Sequence, residues 1–202
     1  MKIICIGRNY SGHIKELENQ RPDNPVIFIK PDTSLIQKNQ PFFIPAFSNN
    51  IHHEIELVVK IKRIGKYIEE KFANKYYDFL TVGIDFTARD IQNDLKSKGL
   101  PWEKSKGFDG SALIGKWLNK DDFQLDNLNF HLKKNNQIIQ EGNSSLMFWK
   151  IDQIISYISQ FFTLKIGDLI FTGTPAGVGM IKEEDVLEGF IENIKCFNIK
   201  VK

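Results

Sequence analysis

Among its 202 residues the chain has only two cysteines and three methionines. Cys5 and Cys196 lie far apart inside apolar runs, so no disulfide framework is expected, and both read as buried free thiols of a reducing compartment. No apolar run approaches the ~20 residues of a membrane span. The opening MKIICIGRNY carries one lysine and a short apolar run closed by Gly7, less than the roughly 7–15 apolar residues of a secretory signal. An amphipathic Arg/Ser-rich presequence is also missing, and the expectation is a cytoplasmic protein. Excess charge of one sign is lacking too. With 27 Lys and Arg against 25 Asp and Glu the net charge is +2, too small to imply a nucleic-acid or membrane partner. There is no internal repeat, linker or low-complexity tract. Neither a GxxxxGK[ST] phosphate loop nor a helix-opening GxGxxG is present. The glycine-rich Gly173-Thr174-Pro175-Ala176-Gly177-Val178-Gly179 is followed by no lysine, so it is either a tight turn between strands or a turn whose backbone and Thr174 hydroxyl line a pocket.

What remains is an ordinary globular balance, 42% apolar and 26% charged, with sixteen phenylalanines for an aromatic core. Many short strand-like runs and few helices point to one β-rich α+β domain over residues 1–202. Strands are expected at Lys2–Ile6, Val26–Lys30, Ile55–Ile61, Leu80–Ile84, Leu169–Thr172 and Ile191–Val201, and a hairpin at Leu128–Ile139 turning on Asn135-Asn136. Ser34 to Asn50, with Pro41 and Pro45, reads as loop. Helical spacing predicts helices at Asn9–Asn19, Ile68–Phe79, Thr87–Lys98 (capped by Thr87) and Lys150–Phe162.

The densest local chemistry is His52-His53-Glu54-Ile55-Glu56-Leu57. On a strand, Glu54 and Glu56 share one face while His53, Ile55 and Leu57 take the other. Two like charges with no obvious Lys or Arg neighbour on their face are either a solvated strand surface or a place for a divalent cation. Asp85, at the end of an apolar strand, supplies a third acid. Three carboxylates are hard oxygen donors suited to Mg²⁺, Mn²⁺ or Ca²⁺, and three protein ligands leave room for water and a chelating substrate. His52 and His53 read as flanking groups.

His13 and Glu16 are three apart, which on a helix brings them within reach, either as an idle polar face or as a histidine held for general-base work. Lys30, Arg89 and Lys106 could each receive an anion, Arg89 through its fork of donors. Gln92 shares the face of Arg89 one turn on. Lys96, Lys98 and Lys104 read as surface charges.

In this order, the segments GRNYSGHIKE, PVIFIKP, NNIHHEIELVV, GIDFTARDIQ, KGLPWEKSKGFD and FTGTPAGVG closely resemble the fumarylacetoacetate hydrolase family, specifically its small single-domain acylpyruvase and oxaloacetate decarboxylase-like members. The resemblance covers nearly the whole chain. It implies a mixed β-roll-like fold, usually a homodimer, with Mg²⁺ or Mn²⁺ in a cleft. It implies Glu54, Glu56 and Asp85 as metal ligands, and His13 and Glu16 as a water-activating dyad on a lid-like segment. Arg89, Gln92, Lys106 and Thr174 would line the substrate pocket, and Lys30 matches the lysine of the FxKP motif. One departure is Lys106-Gly107-Phe108 where the family usually has Lys-Ser-Phe; Gly12 before His13 could similarly loosen the lid. The expected reaction is hydrolysis of a 2,4-dioxo acid to pyruvate and a carboxylic acid, with Lys106 steadying the developing negative charge. Oxaloacetate decarboxylation or keto–enol tautomerisation at the same site is the alternative. The non-enzyme alternatives are a structural Ca²⁺-binding protein and a weak nucleic-acid binder using Lys96 to Lys106.

Overall fold

The computed structural model describes residues 1–16 and 20–202, and of Lys15 only the backbone. The elements in chain order are β1 (Ile3–Gly7), α1 (Ser11–Glu16), β2 (Val26–Lys30), β3 (Ile51–His53), β4 (Ile55–Ile61), α2 (Glu70–Ala73), β5 (Tyr77–Asp85), β6 (Thr87–Ala88), α3 (Arg89–Ser97) and α4 (Glu103–Lys106). Then follow β7 (Ala112–Ile114), β8 (Leu118–Asn119), β9 (Asn129–Lys134), β10 (Gln137–Asn143), α5 (Ile151–Phe161), β11 (Leu169–Phe171), β12 (Gly179–Met180), β13 (Val186–Ile191) and β14 (Ile194–Lys200). The fold is α+β and sheet-rich, as expected. No helix of the described residues is long and apolar enough to cross a membrane.

A seven-stranded sheet runs β2-β1-β11-β4-β5-β7, with β8 also pairing with β5. Only β1 and β11 pair in parallel within it. A four-stranded sheet, β10-β9-β13-β14, and a small three-stranded one, β12-β3-β6, complete the framework. Strand alternation sorts the large sheet into two faces. Ile4, Ile6, Leu57, Val59, Val82, Ile84 and Ile170 join the main core, where α5 contributes Ile151, Ile154, Ile155 and Ile158. Ile3, Cys5, Val58, Leu169 and Phe171 form a second cluster on the opposite face. Glu56 and Asp85 share the alternation of that second face, so the acids stand at its end, away from the main core. Both cysteines are buried and free.

Four sequence expectations need correction. The helix expected over Ile68–Phe79 shrinks to α2 and a short 3₁₀ turn, and β5 begins already at Tyr77. Pairing of this aromatic, β-prone stretch with β4 out to Tyr77↔Ile61 overrides its helical spacing. The helix expected from Thr87 starts at Arg89, because Thr87 and Ala88 pair with β3; Thr87 caps nothing. The run Ile191–Val201 is not one strand: Glu192, at φ 46, turns β13 into β14. Glu54 is not inside a strand but at the joint between β3 and β4, where the chain passes from the small sheet to the large one. The Asn135-Asn136 hairpin turn is present, with φ of 52° and 68°, as is the expected α5. Of the helix expected over Asn9–Asn19, α1 forms from Ser11 to Glu16, and residues 17–19 lie outside the described ones.

Gln140 of β10, buried, ties the sheets together around the Glu54 joint. Its Oε1 accepts from Ile55 N at 3.2 Å and lies 2.8 Å from His53 Nδ1, which therefore carries the proton. Its Nε2 donates to Thr174 Oγ1 at 3.0 Å and to the Pro175 carbonyl at 3.2 Å. Gln140→Leu fills the same space yet orphans several buried polar groups, each costing about 1–3 kcal/mol. Thermal denaturation of this variant should show a melting temperature lower by roughly 5–15 °C at about 2–4 °C per kcal/mol; an unchanged melting point would mean that the staple contributes nothing.

Candidate active site

Glu54, Glu56 and Asp85 come together with carboxylate oxygens within 4.8 Å of one another, all buried. They arrive from the β3–β4 joint, from β4 and from the last position of β5, and Asp85 N donates to the Glu54 carbonyl at 2.9 Å. A solvated strand face is thereby excluded.

Contrary to the sequence expectation, two of the acids do have basic partners, supplied by segments remote in the chain. Lys106, the last residue of α4, donates to Glu54 Oε2 and Asp85 Oδ2, both at 2.7 Å, and to Thr87 Oγ1 at 2.6 Å. Arg89, opening α3, bonds Glu54 Oε1 through Nη2 and Gln92 Oε1 through Nη1, the latter at 2.5 Å. Lys30, the last residue of β2, is fully buried with Nζ 2.7 Å from Asp85 Oδ1. Its ammonium donates to the Ser111 carbonyl at 2.8 Å, to Ser111 Oγ at 3.0 Å and to the Lys106 carbonyl. With its donors so directed, the contact with Asp85 Oδ1 is ionic without an aligned hydrogen bond, and that oxygen has no hydrogen-bond partner.

Glu56 is treated differently. Its Oε2 accepts from Gly173 N at 2.7 Å, and no cation touches it among the described residues. Gly173, at φ +100°, takes the left-handed conformation that brings this N–H to the acid, and a Cβ there would stand 2.7 Å from Asn9 Cβ. Burial pushes the Glu56 carboxyl well above its usual range, and the charges of Asp85 and Glu54 add to the rise. Burial also works against ionised Glu54, but Lys106 and Arg89 overcome it and hold that carboxyl well below the usual range. For Lys106, burial is outweighed by Asp85 and Glu54, so the ammonium is stabilised.

His13 is buried over the same cleft. Its Nδ1 lies 3.4 Å from Glu16 Oε2, and the Glu16 carboxylate also accepts from Gly177 N at 3.1 and 3.2 Å, which clasps α1 onto the glycine-rich turn. Burial lowers the His13 pKa, with Glu54 and Glu16 opposing, so the imidazole is neutral and able to take a proton. Asn9 fixes the base of α1, donating to the Trp149 and Thr172 carbonyls at 3.0 and 2.8 Å.

Of the residues picked out in the sequence, His13, Glu54, Glu56, Asp85, Arg89, Gln92, Lys106 and Thr174 line one cleft, with Glu16 at its rim through His13. Lys30 lies underneath, not on the wall, which is a correction to its expected contact with substrate: it braces Asp85 and the 106–111 backbone. Gly107 does not loosen Lys106, because Gly107 N donates to the Glu103 carbonyl at 2.6 Å and its own carbonyl accepts from Ser34 Oγ at 3.1 Å. Lys98 and Lys104 are exposed, but Lys96 is not a plain surface charge; it lines the cleft with Arg8, Phe28 and Trp102. Helical periodicity could have found Lys96, which follows Gln92 by four residues. Nothing local marks Trp102.

The donor set fits a divalent cation. Three hard oxygens converge, one buried Asp85 oxygen lacks a hydrogen bond, and the Glu56 carboxylate lacks a counter-charge. Lys106 bonds Glu54 and Asp85 oxygens that an ion would also use, so its ammonium has to yield to one.

Residues 2–202 match the family described as fumarylacetoacetate (FAA) hydrolase C-terminal. The chain belongs to the fumarylacetoacetate hydrolase family. It is 41% identical over 201 residues to the mouse protein named oxaloacetate tautomerase FAHD1, mitochondrial, covering 99% of this chain and 91% of that one. It is 42% identical over 189 residues to the Dictyostelium discoideum protein named oxaloacetate decarboxylase, mitochondrial, covering 93% and 87%. Among solved structures, fumarylpyruvate hydrolase from Pseudomonas aeruginosa in complex with Mn²⁺ and pyruvate superposes with a TM-score of 0.93 at 31% identity, covering 100% of this chain and 89% of that one. These relatives are named as enzymes acting on small oxo acids, and this family member is an enzyme.

Because Glu56 must be ionised to hold a metal and its pKa is raised, metal binding should release a proton. Affinity is then full above the raised Glu56 value and lost as pH falls through it. Calorimetric Mn²⁺ titrations in buffers of differing ionisation enthalpy should show that release, and Glu56→Gln should abolish both release and tight binding. Mn²⁺ binding without proton release, or a Glu56→Gln variant that binds Mn²⁺ as tightly as wild type, would contradict the assignment of Glu56.

Proposed function

We propose that this family member is a Mg²⁺- or Mn²⁺-dependent enzyme that generates the enolate of small 2-oxo acids, with keto–enol tautomerisation of oxaloacetate as its first reaction. The observation that carries the reading is a histidine, His13, paired with Glu16 and set over a buried carboxylate cluster whose surrounding cations, Arg89 and Lys106, can also face a substrate oxyanion. The sequence expectation placed acylpyruvate hydrolysis first. The order is reversed here because relatives near 40% identity are named for oxaloacetate chemistry.

Glu54, Glu56 and Asp85 would hold the ion, which when bound supplies Lewis-acid polarisation of a 2-oxo group. Glu16, paired with His13 Nδ1, leaves the other ring nitrogen as the base. That nitrogen takes a proton from C3 of the substrate. The C–H electron pair becomes the C2–C3 double bond, and the carbonyl pair moves onto the 2-oxygen. Lys106 and Arg89 donors stabilise that oxyanion, a contribution larger in a dry cleft than in water. Returning the proton to the oxygen completes the enol. If the 4-carboxylate leaves as carbon dioxide instead, the C3–C4 electron pair becomes the C2–C3 double bond and the enolate of pyruvate, one carbon shorter, results without a base.

A second reading, hydrolysis of acylpyruvates, is favoured by one specific feature, the clasp of Glu16 on both His13 and Gly177, which suits a base that activates water under a closed α1. Water attack on the distal carbonyl breaks the C3–C4 bond and again leaves pyruvate enolate.

His13→Ala should lower tautomerisation and acylpyruvate hydrolysis by about 10²–10⁴-fold, the usual worth of a positioned base, and oxaloacetate decarboxylation by much less. Rates are to be followed by ultraviolet absorbance of the enol and by pyruvate release. Wild-type rates of the variant on both acids would remove His13 from this role.

A further inference from the structure

Two basic side chains in the cleft are not used by the chemistry above. Arg8 follows β1 and sits at φ 60°, a left-handed conformation that L-residues rarely adopt. The hydrogen bonds of Asn9 hold the chain there, and the consequence is that the Arg8 side chain lines the cleft, with its Nε buried and without a hydrogen bond. Lys96 reaches the same cleft from the last turn of α3, its Nζ 5.4 Å from the centre of the Trp102 ring. Lys96 stands two helical turns beyond Arg89, which is bonded to Glu54, so it enters the cleft about 10 Å farther along α3 from the carboxylate cluster, and Trp102 packs on Phe28 at 6.0 Å on the same wall.

The cations of the cleft therefore divide into two sets. Lys106 and Arg89 are bonded to Glu54 and Asp85. Arg8 and Lys96 have no carboxylate partner among the described residues, although Asp94 is close in sequence and pairs with Lys98 instead. Burial and then the positive charges of Arg89, Arg8 and Lys106 push the Lys96 ammonium down to about 8, with the Glu54 charge opposing. An anion arriving there is favoured by both cations, and a planar carboxylate matches the donor fork of Arg8.

We propose that Arg8 and Lys96 form a distal carboxylate subsite that makes this enzyme selective for 2-oxo acids carrying a second carboxylate at the far end. This rests on the reading that the oxo-acid head binds at Glu54, Glu56 and Asp85. The subsite takes no part in bond making; it places the substrate and sets which acids bind.

The test uses two unreactive acids of equal length, 2-oxoglutarate, ending in a carboxylate, and 2-oxopentanoate, ending in a methyl group. Each is titrated calorimetrically into the Mn²⁺-loaded protein. Wild type should bind 2-oxoglutarate at least about tenfold more tightly, the scale of one charge-assisted contact. Lys96→Gln and Arg8→Gln should each cut that preference severalfold, and Lys96→Arg should retain it. Lys96 is half-buried and makes no hydrogen bond or ion pair among the described residues, so its variants carry the test even if Arg8→Gln fails to fold. A wild type that binds both acids equally, or Lys96→Gln with the wild-type preference, overturns the subsite alone. A wild type that binds neither acid overturns the reading of the head-group site as well.

Discussion

Asp85 stands between two buried ammonium groups, Lys30 on one oxygen and Lys106 on the other. A carboxylate removed from water at a sheet end is tolerable only when its charge is met, and removing one partner from such a cluster typically costs about 3–5 kcal/mol. Much of the local architecture follows from meeting that demand. β2 ends where it does so that Lys30 can pass beneath Asp85. The short α4 brings Lys106 across, and Lys30 in turn holds the carbonyls of Lys106 and Ser111. Arg89 is the first residue of α3 for the same reason, since from there it reaches Glu54. Glu56 is the exception, with a backbone N–H and no cation, and it is the acid whose ionisation most favours a divalent ion.

How much of this was legible in the sequence differs by residue. The spacing of Glu54 and Glu56, and the apolar run ending in Asp85, singled out three acids that the fold brings within 4.8 Å of one another, although Glu54 stands at a joint and not inside a strand. Their neutralisation was invisible, since Lys30, Arg89 and Lys106 meet them only through long-range pairing. For the same reason a lysine at the end of an apolar strand, Lys30, reads as an anion-binding group and gives no local sign of lying under the site. Spacing places Tyr77 and Thr87 in helices, yet the partner strands β4 and β3 pair with them. Arg8 belongs to the GRNYSGHIKE segment but carries no role in the sequence reading, and its positive φ shows why it turns into the cleft.

The cleft joins features that serve several related reactions. A neutral base, oxyanion donors and a cation-binding carboxylate set are common to enolisation, decarboxylation and carbon–carbon hydrolysis of 2-oxo acids. What differs among these is the group attached to C3 and whether water enters. Under the proposed reading, the first depends on the part of the cleft lined by Arg8, Lys96, Phe28 and Trp102, and the second on α1, which Glu16 clasps to Gly177. That reading has substrate choice and reaction outcome set from two sides of one chemical layout, the charged cluster at the end of the sheet.

The most direct test of this account is anomalous diffraction from crystals of the protein grown with Mn²⁺. The account predicts a single strong peak bonded at roughly 2.0–2.3 Å to oxygens of Glu54, Glu56 and Asp85, hard-donor distances for such an ion, with the Lys106 ammonium displaced from at least one of its two carboxylates. Saturating Mn²⁺ with no peak among these acids, and Lys106 still bonded to both Glu54 and Asp85, would contradict it.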